Sequence, residues 1–101
     1  MKIMLDKKYY LTSDARNYII GYYSLDEQGN RKMTNPKDGS EPKEITDVYG
    51  YYQDIDLMFG SFTNLKIRLS DATSWKEVKA LLVDLKRLYS EIRNEIYMEN
   101  K

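Results

Sequence analysis

The side chains in this chain best suited to recognition chemistry are its tyrosines, ten in 101 residues. Eight of them, Tyr9, Tyr10, Tyr18, Tyr22, Tyr23, Tyr49, Tyr51 and Tyr52, stand in the first half. Tyr9-Tyr10, Tyr22-Tyr23 and Tyr51-Tyr52 are adjacent pairs. Successive strand residues point to opposite faces, so each pair in a strand sends one ring to the core and one to the other face. A tyrosine joins a large apolar area to a hydrogen-bonding tip, which suits a protein interface. Its π-face also suits stacking against an unpaired base, and cross-strand ring pairs stabilise a small sheet with no partner at all. Catalysis is poorly supplied by comparison. The absence of Cys and His removes zinc fingers, Cys or His nucleophiles, thiol redox chemistry and disulfide frameworks. A general base would have to be a carboxylate, a lysine or a tyrosine.

Asp54-Ile55-Asp56 is the nearest approach to a metal-binding pair, but acids at the start of a helix complement its dipole and need no metal to explain them. The five glycines are isolated, and none precedes the Gly-Lys-Ser/Thr of a phosphate-binding loop. No catalytic residue, metal ligand or cofactor site is expected, and a non-enzymatic binding protein follows. Its candidate partner-binding residues are Tyr10, Tyr22 and Tyr51, taken as the exposed member of each pair. Arg16, Arg31 and Lys32 are the cations for an alternative role as a nucleic-acid-binding regulator. These alternate with Asp14, Asp26, Glu27, Asp38 and Glu41, a mixture that predicts weak and salt-sensitive phosphate contacts.

Sixteen basic and sixteen acidic residues give a formal net charge of zero, without the basic excess of a general nucleic-acid binder or the acidic excess of a DNA mimic. The balance holds within each half, with eight of each sign in residues 1–52 and eight of each in 53–101. No apolar run approaches the roughly 18 residues that cross a bilayer, and Asp6 arrives before a signal-type apolar core could form. A cytoplasmic protein without a membrane segment is expected.

The elements that must position these residues follow from hydrophobic period. Up to residue 52 the tyrosines alternate with Ile, Val and Thr between turn residues, which is strand chemistry. Strands are predicted over 8–13, 17–25 and 44–52, with a short edge at 2–5 and a turn at Thr12-Ser13-Asp14. Residues 26–43 form an 18-residue polar excursion, with a turn at Gln28-Gly29-Asn30 and a short strand at 31–34. A type I turn that Pro36 opens and Gly39 closes completes it. From Asp54 the period switches to about 3.6: Ile55, Met58, Phe62, Leu65 and Leu69 predict a helix over 54–69, weakened at Gly60. Ser74-Trp75-Lys76-Glu77 matches a capping box and starts a second helix over 74–97.

In that helix Trp75, Val78, Leu82, Leu85, Tyr89, Ile92 and Ile96 keep alternating three- and four-residue steps, and Leu81 and Leu88 widen the stripe. Such a wide face packs within a domain better than as a two-stranded coiled coil. Lys79, Lys86 and Arg93 border the stripe on one side and Glu77, Asp84 and Glu91 on the other. A helix of this length spans about 36 Å, slightly more than a globule of this size, so its end is expected to overhang. Ile92, Ile96 and Tyr97 are then the candidate contact of a homodimer. The fold class expected is α+β: a single domain with an antiparallel meander of three or four strands, followed by a helical pair packed on one sheet face.

The stretches Tyr10-Leu11-Thr12-Ser13-Asp14-Ala15-Arg16-Asn17-Tyr18-Ile19-Ile20 and Leu69-Ser70-Asp71-Ala72-Thr73-Ser74-Trp75 resemble parts of small uncharacterised accessory proteins encoded by bacteriophages and prophages. The likeness lies in the overall plan over about 60 residues. It implies a non-enzymatic protein that binds a host or defence macromolecule as an inhibitor or regulator, anti-CRISPR proteins being one such class.

Overall fold

A computed structural model describes the backbone of residues 1–99 and the side chains of residues 1–98. The chain divides into two compact units, Met1–Tyr51 and Tyr52–Lys101, at the position where the hydrophobic period changes. The fold is α+β, a four-stranded antiparallel sheet followed by two helices.

The strands are β1 (Lys2–Met4), β2 (Tyr9–Ser13), β3 (Tyr18–Tyr23) and β4 (Thr46–Tyr52), in spatial order β1-β2-β3-β4. Tight turns make the first connections, and an aspartate organises each of them. The Asp6 carboxylate accepts from the Lys8 and Tyr9 amides at 2.8 and 2.7 Å. That of Asp14 accepts from Arg16 and Asn17 at 2.8 and 2.7 Å. These Asx motifs satisfy amides that would otherwise go unpaired at the chain reversal. The predicted Thr12-Ser13-Asp14 turn therefore shifts onward: Ser13 stays in β2, and Asp14 closes back on Asn17.

Residues 26–43 are more ordered than a polar excursion implies. Asp26 takes the Gln28 and Asn30 amides, and Gly29 adopts φ +84°, a left-handed conformation that favours glycine. The chain then returns through bridges from Leu25 to Arg31 and from Met33 to Glu44. The Lys32 amide donates to the Ser24 carbonyl at 2.8 Å, and the Ile45 amide to the Lys32 carbonyl at 2.9 Å. Residues 31–34 thus form the expected extended segment, and the outer turn is held by Asp38, which accepts from the Ser40 amide and hydroxyl.

In the second unit, α1 (Ile55–Leu69) starts at the N-cap Asp54, whose carboxylate accepts from the Leu57 amide at 2.8 Å. Gly60 does not interrupt the helix, which is continuous from Ile55 to Leu69. Met58, Phe59, Phe62 and Leu65 are buried, whereas Leu69, the last member of the predicted stripe, is exposed. After Ser70 the chain enters α2 (Trp75–Glu99) through Ser74, whose hydroxyl accepts from the Glu77 amide at 3.3 Å. The Glu77 carboxylate reaches back one residue further than a capping box requires, to the Thr73 amide at 2.7 Å.

Asp56 meets Tyr89, and Thr63 shares a cleft with Leu82, so the two helices run antiparallel. The stripe on α2 is buried selectively. Trp75, at its first turn, is 71% exposed, while Leu85, Ile92 and Ile96 are buried. This corrects the expected overhang: Ile92 and Ile96 continue the Leu85 row at helical spacing and are buried with it, at 2% and 7% exposure. They offer no free surface to a second copy. Tyr97 and Met98 lie off that row and are exposed. No helix among the described residues is long and apolar enough to cross a membrane.

Candidate functional site

Strand register decides what the tyrosines can do. Tyr9 pairs with Tyr22, Tyr10 with Gly21 and Leu11 with Ile20, while Lys2 pairs with Thr12 and Met4 with Tyr10. Residues directly opposite one another share a face. One face therefore carries Lys2, Met4, Tyr10, Thr12, Ile19, Gly21 and Tyr23, and the other carries Tyr9, Leu11, Tyr18, Ile20 and Tyr22. Tyr10 and Tyr22 point away from each other, so the expected single aromatic face of Tyr10, Tyr22 and Tyr51 does not form. A one-residue difference in register exchanges the faces of a whole strand, and here the Tyr9-Tyr10 pair meets Tyr22-Gly21 rather than a second tyrosine pair in step.

On the first face, Gly21 is the seat of the Tyr10 ring. A Cβ at position 21 would lie 2.4 Å from Tyr10 Cζ, closer than non-bonded atoms approach, so the tip of the Tyr10 ring fills the space that a side chain at position 21 would take. The Tyr10 ring centroid is 5.1 Å from that of Tyr23. Lys2 places its ammonium 4.7 Å from both centroids, and the Arg31 guanidinium carbon stands 3.8 Å from that of Tyr23. Cations over ring faces are attracted by the ring quadrupole. Arg31 also pairs with Glu44 at 2.8 Å, and this partner holds the guanidinium pKa above its ordinary value. The result is a continuous row of Lys2, Tyr10, Tyr23, Arg31 and Glu44, in which Tyr23 is buried, Tyr10 half-buried and the charged ends exposed.

The second face carries an aromatic cluster of a different kind. Tyr9 contacts Tyr22 at 5.8 Å and Tyr49 at 6.3 Å between centroids. Lys8 covers Tyr9 and Tyr22 at 5.7 and 5.5 Å. Leu11 and Ile20 on this face are fully buried. Burial raises the Tyr9 phenol pKa above the ordinary tyrosine value, and the neighbouring Asp6 carboxylate adds to the rise. Tyr51, two residues beyond Tyr49 in β4, lies on the same face by alternation and is 61% exposed.

The three predicted cations do not form a patch. Arg16 is an exposed side chain in the β2–β3 turn, where Asp14 accepts two backbone amides and is held below the usual carboxylate range by them. Arg31 stands beyond the other end of β3, six residues and roughly 20 Å away at about 3.3 Å per residue. Lys32 adjoins Arg31 in sequence and is exposed, with its backbone engaged by Ser24 and Ile45. On the sheet tyrosines the cations that meet rings are Lys2, Lys8 and Arg31. Lys2 reaches Tyr10 and Tyr23, and Lys8 reaches Tyr22, across strand pairings that no local pattern encodes, whereas the contact of Lys8 with Tyr9 is between chain neighbours.

In the helical unit the acids considered for metal binding have structural partners. Asp54 caps α1, and Asp56 accepts a hydrogen bond from the Tyr89 hydroxyl. No group of three or more metal-ligating side chains occurs among the described residues. Phe59 packs on Tyr89 at 4.6 Å between centroids, and Arg93 lies over Tyr89 at 5.9 Å. Arg93 therefore covers an aromatic side chain of its own helix, as the stem of a bordering cation does.

No protein family, curated protein or solved structure matches this chain.

Proposed function

We propose that this protein is a non-enzymatic binding module of the phage accessory type, acting in the host cytoplasm. It engages a host or defence protein through Lys2, Tyr10 and Arg31 on one face of its sheet, with the buried Tyr23 ring as their support. The observation that carries the reading is the cation–tyrosine row itself, in which the buried Tyr23 ring backs a half-buried Tyr10 and the exposed Lys2 and Arg31. Preorganised aromatic and Arg side chains with little entropy left to lose are what an interface anchor needs. The same geometry weighs against base stacking as the main role. Lys2 already stands over the Tyr10 ring, and the tip of that ring sits against Gly21, which leaves less of it open to a base. The net charge of zero adds no general attraction for a polyanion.

The test is affinity capture from a bacterial lysate with nuclease-treated and untreated halves, using wild type, Lys2→Glu, Arg31→Glu and Tyr51→Ala. A stoichiometric protein should survive nuclease, be lost from the Lys2→Glu and Arg31→Glu variants, and be retained by Tyr51→Ala. Recovery of nucleic acid alone, or loss of the partner only with Tyr51→Ala, overturns the proposal and moves the site to the other face.

A further inference from the structure

The two edges of the sheet are built differently. β1 is three residues long, begins with Lys2 and is the kind of short, charged edge that discourages pairing with another chain. β4, at the opposite edge, is seven residues long and contains no proline, lysine or arginine. Thr46, Asp47, Val48 and Tyr51 are exposed. Its only charge is Asp47.

Backbone direction along this strand can be read from its hydrogen bonds. The Ser24 amide donates to the Ile45 carbonyl at 2.9 Å, so Ile45 faces the β3 side of the sheet. With a two-residue period, 47, 49 and 51 face inward while Thr46, Val48, Gly50 and Tyr52 present their amides and carbonyls outward. The Val48 amide agrees: it donates to the side chain of Asp47 at 2.7 Å. That contact is a local substitute for a neighbouring strand, made by an exposed carboxylate free to rotate away.

We infer that β4 is a homodimerisation edge, where a second copy adds its own β4 in antiparallel register about a two-fold axis at Tyr49. The strand is self-complementary in this arrangement. Val48 and Gly50 exchange main-chain hydrogen bonds with the partner's Gly50 and Val48, and Thr46 does so with the partner's Tyr52. Asp47 falls opposite the partner's Tyr51, so no like charges oppose each other across the axis. An isologous contact of this type closes after two copies and does not propagate. It extends the sheet from four strands to eight and leaves β1 at both outer edges. The inference is independent of the proposed partner-binding row, which uses β1, β2, β3 and Arg31.

Sedimentation equilibrium over a concentration series tests it with wild type, Val48→Pro, Val48→Lys and Asp47→Ala. Wild type should move from 12.0 kDa to twice that mass as concentration rises. Val48→Pro, which removes one outward donor, and Val48→Lys, which charges the edge, should both remain monomeric with unchanged far-ultraviolet circular dichroism. Asp47→Ala, which releases the Val48 amide, should dimerise at lower concentration than wild type. If Val48→Pro fails to fold, Val48→Lys decides. A wild type that stays at monomer mass throughout, or a dimer that survives Val48→Lys, overturns the inference. Neither result alters the affinity-capture outcome for Lys2→Glu and Arg31→Glu.

Discussion

A glycine and a tyrosine on neighbouring strands illustrate how much a single side chain decides in this sheet. Glycine within a strand is ordinarily a weakness, with no side chain to pack and more backbone freedom to lose. Here the Tyr10 ring lies directly on Gly21 and supplies the missing cover. Adding a methyl at position 21 forces the Tyr10 ring to shift, so Gly21→Ala should destabilise the protein by about 1–3 kcal/mol, the usual cost of overpacking. In a Tyr10→Ala background the same substitution has nothing to collide with and should be neutral or stabilising. Urea midpoints for the four members of this double-mutant cycle measure the coupling. Additive effects would show that the ring does not need its seat. The aspartates act with similar economy: Asp6, Asp14, Asp26, Asp38 and Asp54 each accept backbone amides at a turn or cap. The Asp14 carboxylate is held below the ordinary range by its amide hydrogen bonds, and that of Asp38 by the Ser40 hydroxyl first and the Ser40 amide second. Five of the sixteen acidic residues thus serve turns or a helix cap.

At the scale of elements, the helices show where amphipathic pattern and observed burial part company. The three- and four-residue steps correctly locate both helices, yet Leu69 and Trp75, the stripe residues flanking their connection, are exposed. A stripe is buried only where another surface is in reach, and both residues belong to the terminal turns beside Ser70–Ser74. Gly60 is the other departure. It stands in the interior of α1, is exposed, and an added Cβ would meet nothing within 4 Å. No close approach demands glycine there. Gly60→Ala should therefore stabilise the protein by about 1 kcal/mol through helix propensity alone, seen as a higher urea midpoint with unchanged circular dichroism. A lower midpoint would mean that the cleft lined by Asp56, Phe59, Gly60, Thr63, Leu82, Leu85, Lys86 and Tyr89 cannot accept even a methyl group.

For the molecule as a whole, stability against pH has a defined alkaline limit. The Tyr9 phenol titrates above the ordinary tyrosine value because it is buried and lies near Asp6. A phenol with a raised folded pKa favours the fold while it is neutral. That contribution is fully present below the unfolded pKa of about 10 and is lost as pH rises through the folded value, because the unfolded chain releases its proton first. Tyr9→Phe should therefore flatten the fall in melting temperature above pH about 10. Tyrosinate absorbance in wild type should show a late-ionising component that Tyr9→Phe removes. An unchanged alkaline slope in Tyr9→Phe would assign the limit to another group. Positive and negative charges balance within each half, so net charge supplies no general attraction for a partner, and the two surfaces proposed above, the cation–tyrosine row and the β4 edge, are both local.

The sequence by itself determined the strand and helix locations, the switch of period near residue 53, the turn chemistry of its aspartates and the scarcity of catalytic side chains. These are local properties: a two- or 3.6-residue period and an Asx turn are set by backbone geometry over a few residues, and they read directly from residue type. The tertiary structure alone decided that Tyr10 and Tyr22 occupy opposite faces, that Lys2 and Lys8 rather than Arg16 and Lys32 meet aromatic rings, and that Ile92 and Ile96 are buried. Each of these depends on which distant residue stands opposite. Strand register is a long-range pairing in which a shift of one residue reverses every face, and helix burial depends on the neighbour as well as on the stripe. The tyrosine pairs were legible as pairs, but the surface they make was set by their partners across the sheet.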